Sequence, residues 1–463
     1  MQRTLKTLVE SLPESLGRPI AKLPFALRFG PAYTARRREI ERIQRLSIDE
    51  RVACLVGGLG RLLRFAASEV PFYRDFYHSH GYSPLAFRRF EDWKNVPVVT
   101  KADLCESSLS SRVAPGYRFI VTNTGGSTGQ PLEFGLDANA FAREWAHMHH
   151  IWQSRGYHPA HIKLTLRGKH FLDDEPLRYN AVHNEYVGNA NYSPEEILAA
   201  LPSLPRWKAI RWVHGYPSLV AEFAIAVSRC NADHARVLRT NLLGILLGSE
   251  YPHVAYRRPI EDFLSSNLVS WYGHSEMAIL AKETSVFAYE TLPSYGFAEA
   301  VASPMLSGCR LVGTSLRNFA HPFIRYDTGD VVEAEECAPD MLRFRVTEGR
   351  IGDFVKDRRG TKHSLTAIIF GRHHASFSLL KHVQIRDDGD GQLTVMLTPR
   401  EPTIPLDRLV GGMDFRGIDA DFHWQLVQQP IRTITGKLPL KIPAVASSET
   451  MPDTCQDGEG PRP

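Results

Sequence analysis

Apolar residues recur at helical spacing from residue 5 to about 67, with breaks at Pro13, Pro19, Pro24 and Pro31. This predicts short helices and then a longer one over 48–67, stopped by Pro71. In WKNVPVVTKADL, residues 93–104, a turn and a short extended piece lead into a helix starting at Lys101, with Thr100 as its N-cap. Residues 117–122 and 131–136 are strand-like around a glycine-rich loop, and 138–156 reads as an aromatic-rich helix. Short strands then alternate with loops over 162–201, with a helix at 194–201. A strand at 212 runs through a Gly-Pro turn into a helix ending near Ser228. The apolar run at 242–250 (LLGILLGSE) has the character of a buried parallel strand, and a helix over 256–267 returns to another strand at 268–272. Each of these strands ends in small polar residues. The pattern is that of an α/β sheet with ligand groups at the carboxyl ends of its strands. Antiparallel strands are expected over 298–314, and beyond 349–353 a small α+β unit runs to about 443.

The densest chemistry is TNTGGSTGQP, residues 122–131. Gly125, Gly126 and Gly129 remove Cβ atoms, while Thr122, Thr124, Ser127 and Thr128 add hydroxyl donors. Such a loop wraps an oxyanion, but it can equally be a flexible turn. It is not a Walker A loop, because no Lys-Ser/Thr pair opens a helix after it, and its glycines do not match a Rossmann fingerprint.

A length of 463 residues implies two or three domains, and 43% hydrophobic with 23% charged residues is ordinary for a globular chain. A net charge of +4 does not argue for nucleic acid. Arg36, Arg37, Arg38, Arg42 and Arg45, interleaved with Glu39 and Glu41, suggest a solvated helix face. Six scattered cysteines suggest neither zinc site nor disulfide framework. His147 and His150 share a helix face, but lack an acidic or cysteine partner for a metal. No secretory signal or transmembrane segment is legible, which makes the cytoplasm the default compartment.

Taken together, the glycine loop, YGHSE (272–276), RYDTGD (325–330), the GRIGD junction (349–353) and a late Gly-Lys (436–437) resemble the adenylate-forming superfamily. VPFYR (70–74), VPVVTKADL (96–104), GYPS (215–218) and GSE (248–250) bring it nearest the phenylacetate-CoA ligase branch, and within that to CapK-type capsular-polysaccharide proteins. The resemblance spans about 60–443. It implies a large N-terminal α/β AMP-binding domain over 1–351, with 1–67 as a helical lead-in, a small mobile α+β lid over 352–443 and a disordered tail over 444–463.

It also implies a reaction. A carboxylic acid attacks the α-phosphate of ATP, pyrophosphate leaves, and the acyl-adenylate passes its acyl group to CoA. Charge stabilisation is the main requirement. On this resemblance Thr122, Thr124, Gly125, Gly126, Ser127, Thr128 and Gly129 cradle pyrophosphate, and Glu276 holds Mg²⁺. Asp330 and Arg350 meet the ribose, Tyr272 lies by the adenine, and Lys437 neutralises the transition state. His214, Tyr216, Pro217 and His274 stand near an acyl pocket suited to a small aromatic or polar acid. Two positions depart from the family pattern: Gln130 where most relatives carry Lys or Arg, and Gly352 at the hinge, commonly Asp or Lys. An amine or sugar acceptor in polysaccharide biosynthesis is the alternative to CoA, and a catalytically silent nucleotide-binding relative is another. The oligomeric state stays open, a homodimer included.

Overall fold

The computed structural model describes residues 12–123, 132–169, 171, 175–303, 308–348, 354–360, 362–369, 374–416, 418–432 and 439–443. Its main helices are α1 (Pro31–Gln44), α2 (Ile48–Glu69), α3 (Pro71–Ser79), α4 (Lys101–Cys105), α5 (Ala140–Gln153), α6 (Pro217–Arg229) and α7 (Val254–Phe263). Capping boxes start α2 at Ser47, which exchanges hydrogen bonds with Glu50, and α4 at Thr100, which does so with Asp103. Pro71 does end α2, but a second helix begins on it. Its missing N–H is harmless at a first helical turn, where that donor has no partner anyway.

The basic lead-in is also less solvated than its charge pattern suggests. Arg38, Arg42 and Arg45 are exposed, but Arg36 is buried. It pairs with Glu39 at 2.7 Å and reaches the Ser294 carbonyl. Burial pulls its guanidinium down to about 10, against the opposing effect of Glu39. Arg37 donates to the Ala146 carbonyl and, at 2.7 Å, to Gln153, so α1 is docked on α5.

Strands β1 (Phe119–Asn123) and β2 (Glu133–Asp137) form an antiparallel hairpin around the glycine loop. The large sheet contains β3 (Ile162–Lys169), β4 (Leu177–Asn180), β5 (Glu185–Asn189), β6 (Ile210–Gly215), β7 (Gly244–Leu247), β8 (Leu268–Gly273), β9 (Leu280–Ser285), β10 (Ala288–Thr291), β11 (Phe297–Ala302), β12 (Cys309–Thr314), β13 (Tyr326–Ala338) and β14 (Met341–Glu348). Their order is β11-β12-β13-β14-β10-β9-β8-β7-β6-β3-β5-β4. The block β5-β3-β6-β7-β8 is parallel, with crossover helices such as α6 and α7 packed together against one face. From β8 onward the pairing is antiparallel. That change occurs beside Tyr272, so the carboxyl ends of the parallel strands abut the antiparallel half.

A separate apolar core, including Val355, Leu365, Ile385, Leu393, Leu397, Leu409 and Phe415, belongs to the C-terminal strands and helices. The predicted boundary at 351/352, the hinge Gly352 and the tail lie outside the described residues. Among those described, no helix is long and apolar enough to cross a membrane.

One charge pair sits deep in the parallel block. Lys163 on β3 meets Glu185 on β5 at 2.9 Å with both side chains buried, Lys163 also donates to the His183 carbonyl, and Glu185 accepts from Thr165 at 2.6 Å. Removing one partner leaves the other charge in a low-dielectric interior. Glu185→Gln is therefore expected to cost about 3–5 kcal/mol in urea unfolding, and Lys163→Met combined with Glu185→Leu to recover much of that loss.

Candidate active site

The carboxyl ends of β3, β6, β7 and β8 form one polar edge. After β6, Tyr216 leads into α6, where Pro217 occupies the first turn. The backbone N–H and hydroxyl of Ser218 both donate to Glu250, the latter at 2.7 Å, which ties GYPS to the GSE turn after β7. Arg167 at the end of β3 donates to the Ser249 hydroxyl at 2.8 Å and lies over the Tyr216 ring. Burial pushes the Tyr216 phenol up, against the opposing charge of Arg167. Gly248 is required by close approach, since a Cβ there would fall 2.3 Å from the Trp271 indole.

Past β8 the chain turns through His274 to Glu276 and enters β9 directly, so Glu276 caps no helix. Its side chain is buried, and each carboxylate oxygen has its own donor. The Tyr326 hydroxyl gives to Oε1 at 3.0 Å, and His274 Nδ1 gives to Oε2 at 3.0 Å. His274 Nε2 accepts from the Ile279 N–H, which fixes the ring proton on Nδ1. The imidazole that was expected to line an acyl pocket therefore has both nitrogens engaged within the chain, orienting Glu276.

Asp330 is presented by a bulge. Asp327 pairs with Val312 and Val331 with Arg310, so Thr328, Gly329 and Asp330 stand opposite Leu311 alone. Gly329 takes φ +79°, the Asp327 carboxylate accepts from its N–H, and the Thr328 hydroxyl accepts from the Asp330 N–H. The bulge turns the Asp330 carboxylate toward β8, where the Tyr272 hydroxyl donates to it. Upstream, Arg325 is buried at φ +46°. It binds both oxygens of Glu299 and the carbonyls of Lys94 and Val96. Val99 of the VPVVT stretch pairs in parallel with Tyr326.

Of the predicted residues, the structure links Asp330 to Tyr272, sets the Tyr272 ring 6.3 Å from His274, and joins His274 to Glu276, which Tyr326 holds from the other side. Thr122 is half-buried on β1, paired with Phe134. His214 ends β6, buried against Trp152 and Trp271 at ring separations of 5.2 and 6.0 Å. Thr124, Gly125, Gly126, Ser127, Thr128, Gly129, Arg350 and Lys437 lie outside the described residues, as does Gln130. Tyr326 and Arg325 were not singled out from the sequence, although both belong to RYDTGD. Their partners Glu276 and Glu299 lie 50 and 26 residues away, a separation that no local pattern reports.

His147 and His150 are packing residues. His147 bonds the Arg143 carbonyl and the Ser294 hydroxyl, and His150 bonds Gln44. Among the described residues no group of three or more His, Cys, Asp or Glu is placed to hold a metal ion. A single hard carboxylate still fits Mg²⁺, which keeps waters and takes phosphate oxygens for most of its shell. Glu276 offers such a carboxylate, buried and oriented by Tyr326 and His274.

No protein-family model matches the chain. It is 22% identical over 362 residues to the protein CapK of Staphylococcus aureus, covering 74% of this chain and 78% of that one. Among solved structures it matches a 2-hydroxyisobutyryl-CoA ligase in the postadenylation state in complex with 2-HIB-AMP, with TM-score 0.61, 18% identity and coverage of 85% of this chain and 90% of that one. It also matches GH3.15 acyl acid amido synthetase, with TM-score 0.55, 12% identity and the same coverage. The fold is that of the adenylate-forming enzymes, with a large N-terminal and a smaller C-terminal domain, and CapK is a similar protein.

Nitrogen-15 NMR of labelled protein is expected to place the His274 proton on Nδ1. A proton found on Nε2 instead would contradict the bond from Ile279.

Proposed function

We propose that this protein is an ATP-dependent acid ligase that works through an acyl-adenylate and hands the acyl group to CoA. The observation that carries this reading is Glu276, a buried carboxylate with its two oxygens oriented by Tyr326 and His274, beside the Tyr272–Asp330 pair. In the first step the acid's carboxylate oxygen bonds to the α-phosphorus of ATP while the bond to the departing pyrophosphate breaks. In the second, the CoA thiolate sulfur bonds to the acyl carbon and AMP leaves.

The chain's part is largely electrostatic and positional. Asp330, aimed by the bulge and held by Tyr272, accepts from the ribose hydroxyls, and Tyr272 borders the adenine. Tyr326 and His274 keep Glu276 from turning away from the phosphates. Mg²⁺ bound at Glu276 would neutralise charge on the phosphate oxygens. Arg350 on the ribose, Lys437 at the transition state and the Thr122–Gly129 loop around pyrophosphate complete the proposed set. An amine acceptor is the second reading, favoured by the likeness to an acyl acid amido synthetase. A sugar acceptor belongs with it, given the likeness to CapK.

Carboxylate-dependent exchange of pyrophosphate into ATP, run over a panel of aryl and short polar acids, tests the first step without needing the acceptor. Exchange is expected with at least one acid, and none with any would sink the reading in favour of a silent relative. Product formation with CoA but not with amines or amino sugars supports the CoA ligase, and the reverse supports the second reading. Glu276→Gln is expected to lower exchange about 10²-fold and raise the Mg²⁺ concentration required. Lys437→Ala is expected to lower it by about 10²-fold or more without changing unfolding.

A further inference from the structure

Three rings at the inner end of the polar edge carry polar atoms with nothing to bond. His214 Nδ1, Trp152 Nε1 and His149 Nε2 are all sealed from solvent without a hydrogen-bond partner. The rings are neighbours, with Trp152 lying 5.2 Å from His214 and 5.9 Å from His149. His149 is only half committed, because its Nδ1 is bonded to the Tyr33 hydroxyl at 2.8 Å. His214 has no hydrogen bond at either nitrogen among the described residues. Buried polar atoms are nearly always satisfied, so three orphans in one cluster mark a place where a polar guest belongs.

The cluster also adjoins the proposed site. Trp271 is 6.0 Å from His214 and 5.5 Å from Trp152, is half-buried, and is next in the chain to Tyr272. Its indole lies across Gly248, where any side chain would displace it. The aromatic wall that begins at Trp271, beside Tyr272, therefore continues to Trp152 and His214.

The chemistry of the guest follows from the donors. Indole N–H only donates, whereas imidazole does either according to its tautomer. A hydroxyl accepts from the first and donates to or accepts from the second. The rings of Trp152 and Trp271 flank it, which suits a small acid better than a long tail. Burial first, then the charges of Arg167 and Lys163, hold His214 far below its ordinary range, so it offers no cation for a second carboxylate.

We infer that the acid activated here is a small hydroxy-substituted monocarboxylic acid, its hydroxyl recognised by His214 and Trp152. This rests on the acyl-adenylate reading and names the substrate class for it. A site built to bond a hydroxyl rejects the analogue lacking it, because its own buried groups stay unpaired.

The test is pyrophosphate exchange with matched pairs: 3-hydroxybutyrate and butyrate, 2-hydroxyisobutyrate and isobutyrate, 4-hydroxybenzoate and benzoate, 4-hydroxyphenylacetate and phenylacetate. At least one pair is expected to favour the hydroxy acid by about 10²-fold or more in kcat/KM. His214→Phe and Trp152→Phe keep the rings but remove the polar atoms. Each is expected to cut that preference at least about tenfold, with a larger loss on the hydroxy acid than on its unsubstituted partner, while His214→Asn retains part of it. Both Phe variants are expected to stay folded, with some loss of melting temperature at Trp152→Phe from the volume removed from a buried site; the ratio between paired acids is read on folded protein. Preference for the unsubstituted acid, equal use of both, or an unchanged preference in both Phe variants overturns the inference while leaving the ligase reading intact. So does a crystal structure showing the same ordered water at these nitrogens with and without acid, a buried water only. No exchange with any acid removes the ligase reading itself, and the substrate class with it.

Discussion

The buried guanidinium of Arg325 is the constraint on which the rest of the site depends. It spans Glu299 on β11 and the carbonyls of Lys94 and Val96 in the WKNVPVV stretch, so two regions more than 200 residues apart share one cation. Its backbone sits at positive φ, a conformation that bulky residues take only where the surroundings over-determine it. From that anchored position the chain can leave in one direction only. Tyr326 then points its hydroxyl at Glu276, and the bulge four residues on aims Asp330 at Tyr272.

Several motif residues thus hold the edge together as well as offering chemistry to a ligand. Glu250 and Ser218 join two strand ends, and His274 steers Glu276. Ser249 and Met277, like Arg325, sit at positive φ beside these contacts, which concentrates backbone strain where strand ends turn. The cost of that strain is offset by a core of parallel strands and packed helices on the opposite face.

Among the described residues, polar contacts join the smaller unit to the large one. Tyr256 on α7 is hydrogen-bonded to His382, and Arg432 lies 3.6 Å from Glu222 on α6. Both helices follow strands whose ends build the edge, so the smaller unit is tied to the elements that follow the GYPS and GSE turns.

Helical and strand periodicity, the capping signal at Thr100, the order of the motifs and the α/β class were legible in the sequence, because each depends on residues a few positions apart. So was the packing role of His147 and His150, from the absence of a partner in register. The docking of Arg36, the second helix begun by Pro71, the pairing of Tyr326 with Glu276 and the bonds of His274 to Glu276 and Ile279 were not. Each is decided by which distant atoms meet. A histidine after a strand is the same letter whether it faces a ligand or a carboxylate two residues on, and only the Ile279 N–H at its far nitrogen settles which. The sequence alone determined what groups stand at the ends of the strands. Tertiary structure decided which of them are already bonded to one another, and therefore which are left to meet something else.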